Sequence, residues 1–160
     1  MMPKLPISEI LTTNRLGMIF SKTVATYKYF WFLSILQIHA RTDNLRINVW
    51  DIVIRMVANA WYPIHYFRLS FGKSDSLFDI VMELRKITRI PIDANAESII
   101  ETLTDRLEER QIHQRLLRTL TLNVTYRFLR QWIDAVDHRG MVYCPQVFKN
   151  WSLYYFTQRE

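Results

Sequence analysis

The sequence is poor in the residues that make turns and cross-links. Its 160 residues include 3 glycines, 5 prolines and 1 cysteine. So few turn-forming residues disfavour an all-β fold and any long flexible linker. The lone cysteine, Cys144, excludes an internal disulfide and a CxxC zinc site, and it favours a reducing compartment. We therefore expect a cytoplasmic protein that is stabilised by its core.

Long apolar segments are missing as well. The most apolar run, residues 29–38, is interrupted by Ser34 and Gln37. It falls short of the roughly 20 residues that a membrane-spanning helix needs. The first residues, MMPKLPISEI, contain no apolar signal core. These absences predict a protein that does not associate with a membrane.

The sequence is rich in apolar and aromatic residues, which make up 49% and 14% of the chain. This content and length suit one domain with a substantial core. We predict a mainly α single domain over residues 1–160, a helical bundle with a loosely ordered start at 1–20. Residues 137–160 are rich in Val, Tyr, Phe and Trp, which favours a short β hairpin there. The chain looks cut off within this last segment.

A central helix is predicted to begin after Asn48, which suits an N-cap, and to end at Pro63. Asp51, Arg55 and Asn59 interrupt its apolar sequence at intervals of four, so they form one narrow polar stripe. Asp51 and Arg55 are also spaced for an ion pair. A helix with so little polar surface needs neighbours on several sides.

Four other helices are predicted around it. They cover residues 23–40, 75–90, about 96–120 after an Asn95 cap, and 124–136. In the long fourth helix the apolar residues before and after residues 108–111 lie on different sides of the helix. Since no Pro or Gly occurs there, we interpret this change as a continuous helix passing from one packing partner to another.

The sequence contains no GxSxG and no HExxH motif, and Gly72-Lys73-Ser74 lacks the rest of a phosphate-binding loop. His65 lies among aromatic residues and is expected to be packed. Asp137-His138 is interpreted as a turn, because no second histidine follows it to complete a nuclease metal site. We predict no catalytic residue, no metal ligand and no cofactor in this chain.

The basic residues suggest a binding surface. Between residues 110 and 130 there are five arginines and no acid, and the net charge is +6. Such a face can bind phosphates, but it can also be a solvated helix face, which the pattern alone favours. Tyr66, Phe67, Arg68 and Phe71 interleave aromatic rings with a cation. Such a surface can stack on bases, but aromatic residues near a proline-terminated helix more often belong to the core. The candidate DNA-binding residues are Arg110, Arg115, Arg118, Arg127 and Arg130.

Three stretches carry a family resemblance: TYKYFWFLSIL at 26–36, ANAWYPIHYFRLSFGKSD at 58–75 and NVTYRFL at 123–129. Their order and spacing resemble the N-terminal helical region of bacterial HNH endonuclease domain proteins, over residues 20–135. In such proteins the nuclease module, which uses a divalent metal on DNA, lies nearer the C-terminus. The resemblance implies a non-catalytic domain of an HNH-type endonuclease that assists DNA binding.

A second interpretation of the sequence does not involve nucleic acid. The chain could be a helical protein-interaction or dimerisation module, in which Trp61, Tyr66, Phe67 and an exposed C-terminal tail form the surface for a partner or for a second copy. Binding to duplex DNA that weakens steeply with salt would favour the first interpretation. A stable dimer without DNA binding would favour the second.

Overall fold

The computed structural model describes residues 17, 26–42, 47–69, 76–110, 112, 119–121 and 124. Within these residues the chain is mainly helical, as predicted, and contains no strand. The four helices are α1 (Tyr27–His39), α2 (Val49–His65), α3 (Ser76–Thr88) and α4 (Ala96–Asp105). The predicted loose start at 1–20, the helix at 124–136 and the hairpin at 137–160 lie outside the described residues, apart from Gly17 and Val124.

Helix α2 is the centre of the fold, because α1, α3 and α4 all pack against it. Its buried side chains are Val49, Ile52, Val53, Ile54, Met56, Val57, Ala58, Ala60, Trp61, Ile64 and His65. Burial of each large aliphatic side chain contributes about 1.5–3 kcal/mol relative to leaving it in water. The polar stripe is found where it was predicted: Asp51 is exposed, and Arg55 and Asn59 are partly buried.

A polar contact fixes α1 against α2 within this apolar interface. The Asn59 side chain donates hydrogen bonds to Gln37 Oε1 at 2.9 Å and to Ser34 Oγ at 3.3 Å. Ser34 is fully buried and in turn donates to the Phe30 carbonyl at 2.7 Å. A buried amide without partners would be costly, so this network specifies one register of the two helices.

Pro63 does not end α2, and that prediction was wrong. The helix continues to His65, and the Tyr66 N–H bonds to the Tyr62 carbonyl at 2.9 Å. Proline removes one backbone donor, which here would have bonded to the carbonyl four residues earlier, at Asn59. In the last turn this loss is small compared with the burial of Ile64 and His65, which are 1% and 7% exposed.

The predicted starts of α2 and α4 agree with the structure. Asn48 and Asn95 both cap their helices, since each side chain accepts a backbone N–H at 2.9 Å. However, α4 ends at Asp105, so the predicted continuous helix to residue 120 was wrong. Arg106 occupies the turn that follows, where it donates to both carboxylate oxygens of Glu109, at 2.6 and 2.8 Å.

None of the described helices combines the length and the apolar character that a bilayer-crossing segment requires.

Candidate functional site

Three aromatic side chains form an exposed cluster at the C-terminal end of α2. We call Tyr62, Tyr66 and Phe67 the aromatic cluster; they are 43%, 61% and 61% exposed. Tyr62 and Tyr66 are one helical turn apart and stack with centroids 4.8 Å apart at 12°. The Phe67 ring stands nearly perpendicular to both, at 5.7 Å from Tyr62 and 5.0 Å from Tyr66. The rings therefore support one another while much of their surface faces solvent.

The exposed position of this cluster is unusual for aromatic side chains. Leu69, which is 48% exposed, extends the apolar surface beyond Phe67. Single exposed apolar residues are common, whereas a contiguous group of large ones often marks a contact site. Tyr66 and Phe67 are on the surface as the interaction hypothesis requires. Phe71 lies outside the described residues.

Trp61 does not belong to this surface, and its prediction as a partner-binding residue was wrong. It is 0% exposed, and its indole N–H donates to the Pro91 carbonyl at 2.9 Å. The physical reason is the 100° rotation between successive helical residues, which directs Trp61 into the core and Tyr62 outwards. Composition alone could not distinguish these two neighbours.

Two exposed arginines lie near the C-terminal end of α2. Arg68 follows Phe67 directly and has a left-handed backbone with a φ of 53°. Arg85 on α3 is close enough to His65 for its charge to lower the pKa of that imidazole. A binding surface at this end of α2 would combine aromatic rings with two cations that pair with no acid in the described part of the chain.

His65, the last residue of α2, is packed, as predicted. Its ring meets Trp61 edge-on, with centroids 4.5 Å apart at 68°. Among the described residues the buried Nε2 atom has no hydrogen-bond partner. Burial lowers the pKa of His65, and the nearby charge of Arg85 lowers that pKa further. His65 is thus held as a neutral packing residue, since a charged imidazole here would be both desolvated and repelled.

We expect the protein to lose stability when His65 is forced to accept a proton. The unfolded chain protonates this residue near the ordinary pKa of 6.5, but the folded chain does so only at lower pH. This contribution is therefore fully present above pH 6.5 and is lost as the pH falls through the folded pKa. In His65→Phe the free energy of unfolding, measured in urea between about pH 7.5 and 5.5, should depend less on pH.

The matched control for this pH experiment is the exposed His39, replaced by Gln. It removes an exposed histidine from α1 and leaves His65 and its packing in place, so a change of slope beyond the one seen in this variant is due to His65. Glu97 and Glu109 have lowered pKa values, so their stabilisation is lost only at pH values below the ordinary 4.5. An unchanged slope in His65→Phe would show that His65 does not couple folding to pH.

Apart from the aromatic cluster, a concave region lies between α1, α2 and α4. It has a volume of about 220 Å³ and is lined by Ile38, Arg41, Thr42, Asp51, Ile54, Arg55, Ile100 and Thr104. At its rim Glu97 accepts a hydrogen bond from Arg41 at 2.7 Å and lies 3.6 Å from Arg55. The hydrogen bond from Arg41 is the main cause of the lowered pKa of Glu97. These arginines are engaged in joining the three helices.

The expected Asp51–Arg55 ion pair is replaced by the pairing of Arg55 with Glu97. Asp51 has no ion pair within the described residues. Although Asp51 is exposed, the side chains around its carboxyl group partly desolvate it and raise its pKa, and the charge of Arg55 opposes this effect. With two guanidinium and two carboxylate groups, the region has no net charge to attract an ion. We regard it as part of the structural framework.

One of the five predicted DNA-binding arginines, Arg110, lies within the described residues. Arg110 is exposed and pairs with no acid among the described residues. Arg115, Arg118, Arg127 and Arg130 lie outside the described residues, as do Cys144 and Asp137-His138. In the residues that the structure does describe, no three His, Cys, Asp or Glu side chains come together to hold a metal ion.

Comparisons with protein-family models, with curated proteins and with solved structures gave no match to this chain. The likeness to HNH endonuclease domain proteins therefore stays a prediction from the sequence.

Two residues in or near the aromatic cluster were not identified from the sequence, Tyr62 and Arg85. Tyr62 had a usable signal, its spacing of four residues from Tyr66 on a helix. Arg85 had none, because its approach to His65 depends on how α3 packs against α2.

Proposed function

We propose that this chain is the non-catalytic N-terminal helical domain of an HNH-type endonuclease, and that it binds nucleic acid through arginine contacts to phosphates. One observation carries the proposal: Arg68, Arg85, Arg89 and Arg110 are all exposed, and none of them pairs with an acid in the described part of the chain. The net charge of +6 supports a polyanionic partner. The family resemblance favours DNA.

The contrast with the other arginines strengthens this interpretation. Arg41 and Arg55 meet Glu97, and Arg106 meets Glu109, so those three cations serve the fold. The chain has 15 acids, yet none of the acids among the described residues pairs with these four arginines. Guanidinium groups without an internal partner are suited to phosphate oxygens, which they can contact with two parallel hydrogen bonds.

Such contacts position a domain on nucleic acid without reading its sequence. The cleavage chemistry would belong to the nuclease module of the whole endonuclease, where the divalent metal is expected. In this proposal Arg110 is joined by Arg115, Arg118, Arg127 and Arg130 as a phosphate-binding set. The domain would raise the affinity of the nuclease for its substrate and orient it there.

The affinity for duplex DNA is expected to fall steeply with salt. Each phosphate contact adds about 0.9 to the slope of log K against log salt concentration. The double variant Arg115→Ala/Arg118→Ala should lower this slope by about 2, and Arg110→Ala by about 1. Fluorescence anisotropy with a labelled duplex at several salt concentrations measures the slope.

Arg41→Gln provides the control for that titration. It removes a cation that already pairs with Glu97, so the slope should stay nearly unchanged. Absence of any binding at low salt would contradict the proposal. So would a slope that is the same for Arg110→Ala, for the double variant and for the unchanged protein.

A second candidate function is favoured by a different surface. Tyr29, Leu33 and Leu36 on α1 are 49%, 42% and 48% exposed. Their spacing of four and three residues places them along one side of the helix. This surface and the aromatic cluster would suit a protein-interaction or dimerisation module. A stable dimer in sedimentation experiments, combined with no DNA binding, would favour this alternative.

A further inference from the structure

The exposed rings of the aromatic cluster are arranged to stack on the face of a base, which is accessible when the base is unpaired. Tyr62 and Tyr66 lie nearly parallel, at 12°, and Phe67 stands at 80° to Tyr66 with a centroid distance of 5.0 Å. Tyr66 and Phe67 both expose 61% of their surface. In a duplex the faces of the bases are covered by neighbouring pairs, and only their edges reach the grooves. An exposed aromatic ring therefore stacks on bases of single strands.

The charges around the cluster suit the backbone of the same strand. Arg68 follows Phe67 in the sequence, and Arg85 lies in the last turn of α3, a helix that packs against α2, where its charge lowers the pKa of His65. Both guanidinium groups are exposed, and neither pairs with an acid in the part of the chain that the structure describes. Aromatic rings for bases together with cations for phosphates are the components of surfaces that bind single strands without sequence preference.

The rings are held in place before any ligand arrives. Tyr62 belongs to the last turn of α2 and Tyr66 caps its C-terminal end, and the adjacent residues Trp61 and His65 are buried. Mutual ring contacts restrict the rotation of Phe67. Such a surface has already lost part of its side-chain entropy on folding, which reduces the cost of binding.

We propose that the aromatic cluster is a stacking platform for one or two unpaired bases, and that Arg68 and Arg85 contact the adjacent phosphates. This rests on the proposed nucleic-acid binding and adds the strand class: the domain prefers single-stranded to duplex nucleic acid at this site. In a nuclease, such a platform would hold a strand that has separated from its complement.

The test compares a labelled single-stranded oligothymidylate with a labelled duplex of equal length, by anisotropy with the whole chain. Tyr66→Ala and Phe67→Ala should each weaken single-strand binding by roughly 5- to 150-fold, since stacking contributes that factor per base. Their effect on duplex binding should be below about 3-fold, because phosphate contacts dominate there. Tyr66→Phe keeps the ring and should retain single-strand affinity.

Two variants control for the loss of exposed apolar surface. Leu69→Ala truncates a neighbour that is 48% exposed, and Tyr29→Ala removes an aromatic side chain that is 49% exposed on α1. Neither should change single-strand affinity by more than about 2-fold, since neither belongs to the stacked rings. Far-UV circular dichroism checks that every variant is folded.

The outcomes separate this inference from the proposal that it depends on. If single strands bind with a salt dependence but Tyr66→Ala and Phe67→Ala bind as tightly as the unchanged protein, the platform is wrong and phosphate binding stands. If neither strand class binds at low salt, both proposals fail. If the two variants instead abolish dimer formation, the cluster is a protein contact and the platform is wrong.

Discussion

Replacement of Trp61 by alanine is expected to unfold the protein or to bring it close to unfolding. The side chain is 0% exposed, and its indole N–H bonds to the Pro91 carbonyl at 2.9 Å. Truncation of a buried tryptophan leaves a large cavity and costs about 3–5 kcal/mol. Domains of this size have a total stability of only about 5–15 kcal/mol. Urea denaturation followed by far-UV circular dichroism measures the change.

The adjacent residue provides the control, since Tyr62→Ala alters a side chain that is 43% exposed and should cost less than about 1 kcal/mol.

A second pair of variants, Trp61→Phe and Trp31→Phe, isolates the contribution of the Trp61 hydrogen bond. Trp61→Phe leaves the Pro91 carbonyl without its indole donor, whereas Trp31 is equally buried but its Nε1 has no hydrogen-bond partner among the described residues. Trp61→Phe should therefore cost more than Trp31→Phe by about 1–2 kcal/mol. Equal costs would argue against the Trp61 hydrogen bond.

Replacement of Leu103 by alanine should give the second largest effect. Leu103 is 0% exposed and belongs to α4, which packs against α2. The expected loss is about 2–5 kcal/mol, with the larger values applying if the cavity cannot collapse. The same urea titration measures it, and hydrogen exchange of the α4 amides shows whether that helix opens before the rest of the domain.

Glu101→Ala is the matched control on the same helix, because Glu101 is exposed and should tolerate truncation within about 0.5 kcal/mol. A cost for Leu103→Ala no larger than that of Glu101→Ala would contradict the packing of α4 described above.

Local features of the fold could be predicted from the sequence, whereas several helix ends could not. The caps at Asn48 and Asn95 depend on one side chain and the backbone two or three residues away. The polar stripe of α2 follows from helical periodicity alone. The end of α4 instead involves Arg106, which bonds to Glu109 and reaches the Ile87 carbonyl at 3.4 Å. That carbonyl is 19 residues away, so its influence could not be foreseen.

The candidate site shows the same division. Tyr66, Phe67 and Arg68 adjoin in sequence, and their interleaving already suggested base stacking. The pairing of Arg55 with Glu97 and the approach of Arg85 to His65 result from tertiary packing. Trp61 and Tyr62 differ in burial although both are aromatic, because only the position of neighbouring helices decides which direction is inside.

The central position of α2 also has a consequence for how this sequence can diverge. A helix enclosed by three others must change in step with all of them, since most replacements alter a volume that its neighbours already fill. Residues 49–65 should accordingly accumulate differences slowly, and the outer side of α1 more rapidly. Distant homologues would then be recognised first through α2, which includes the first half of the most distinctive stretch, residues 58–75.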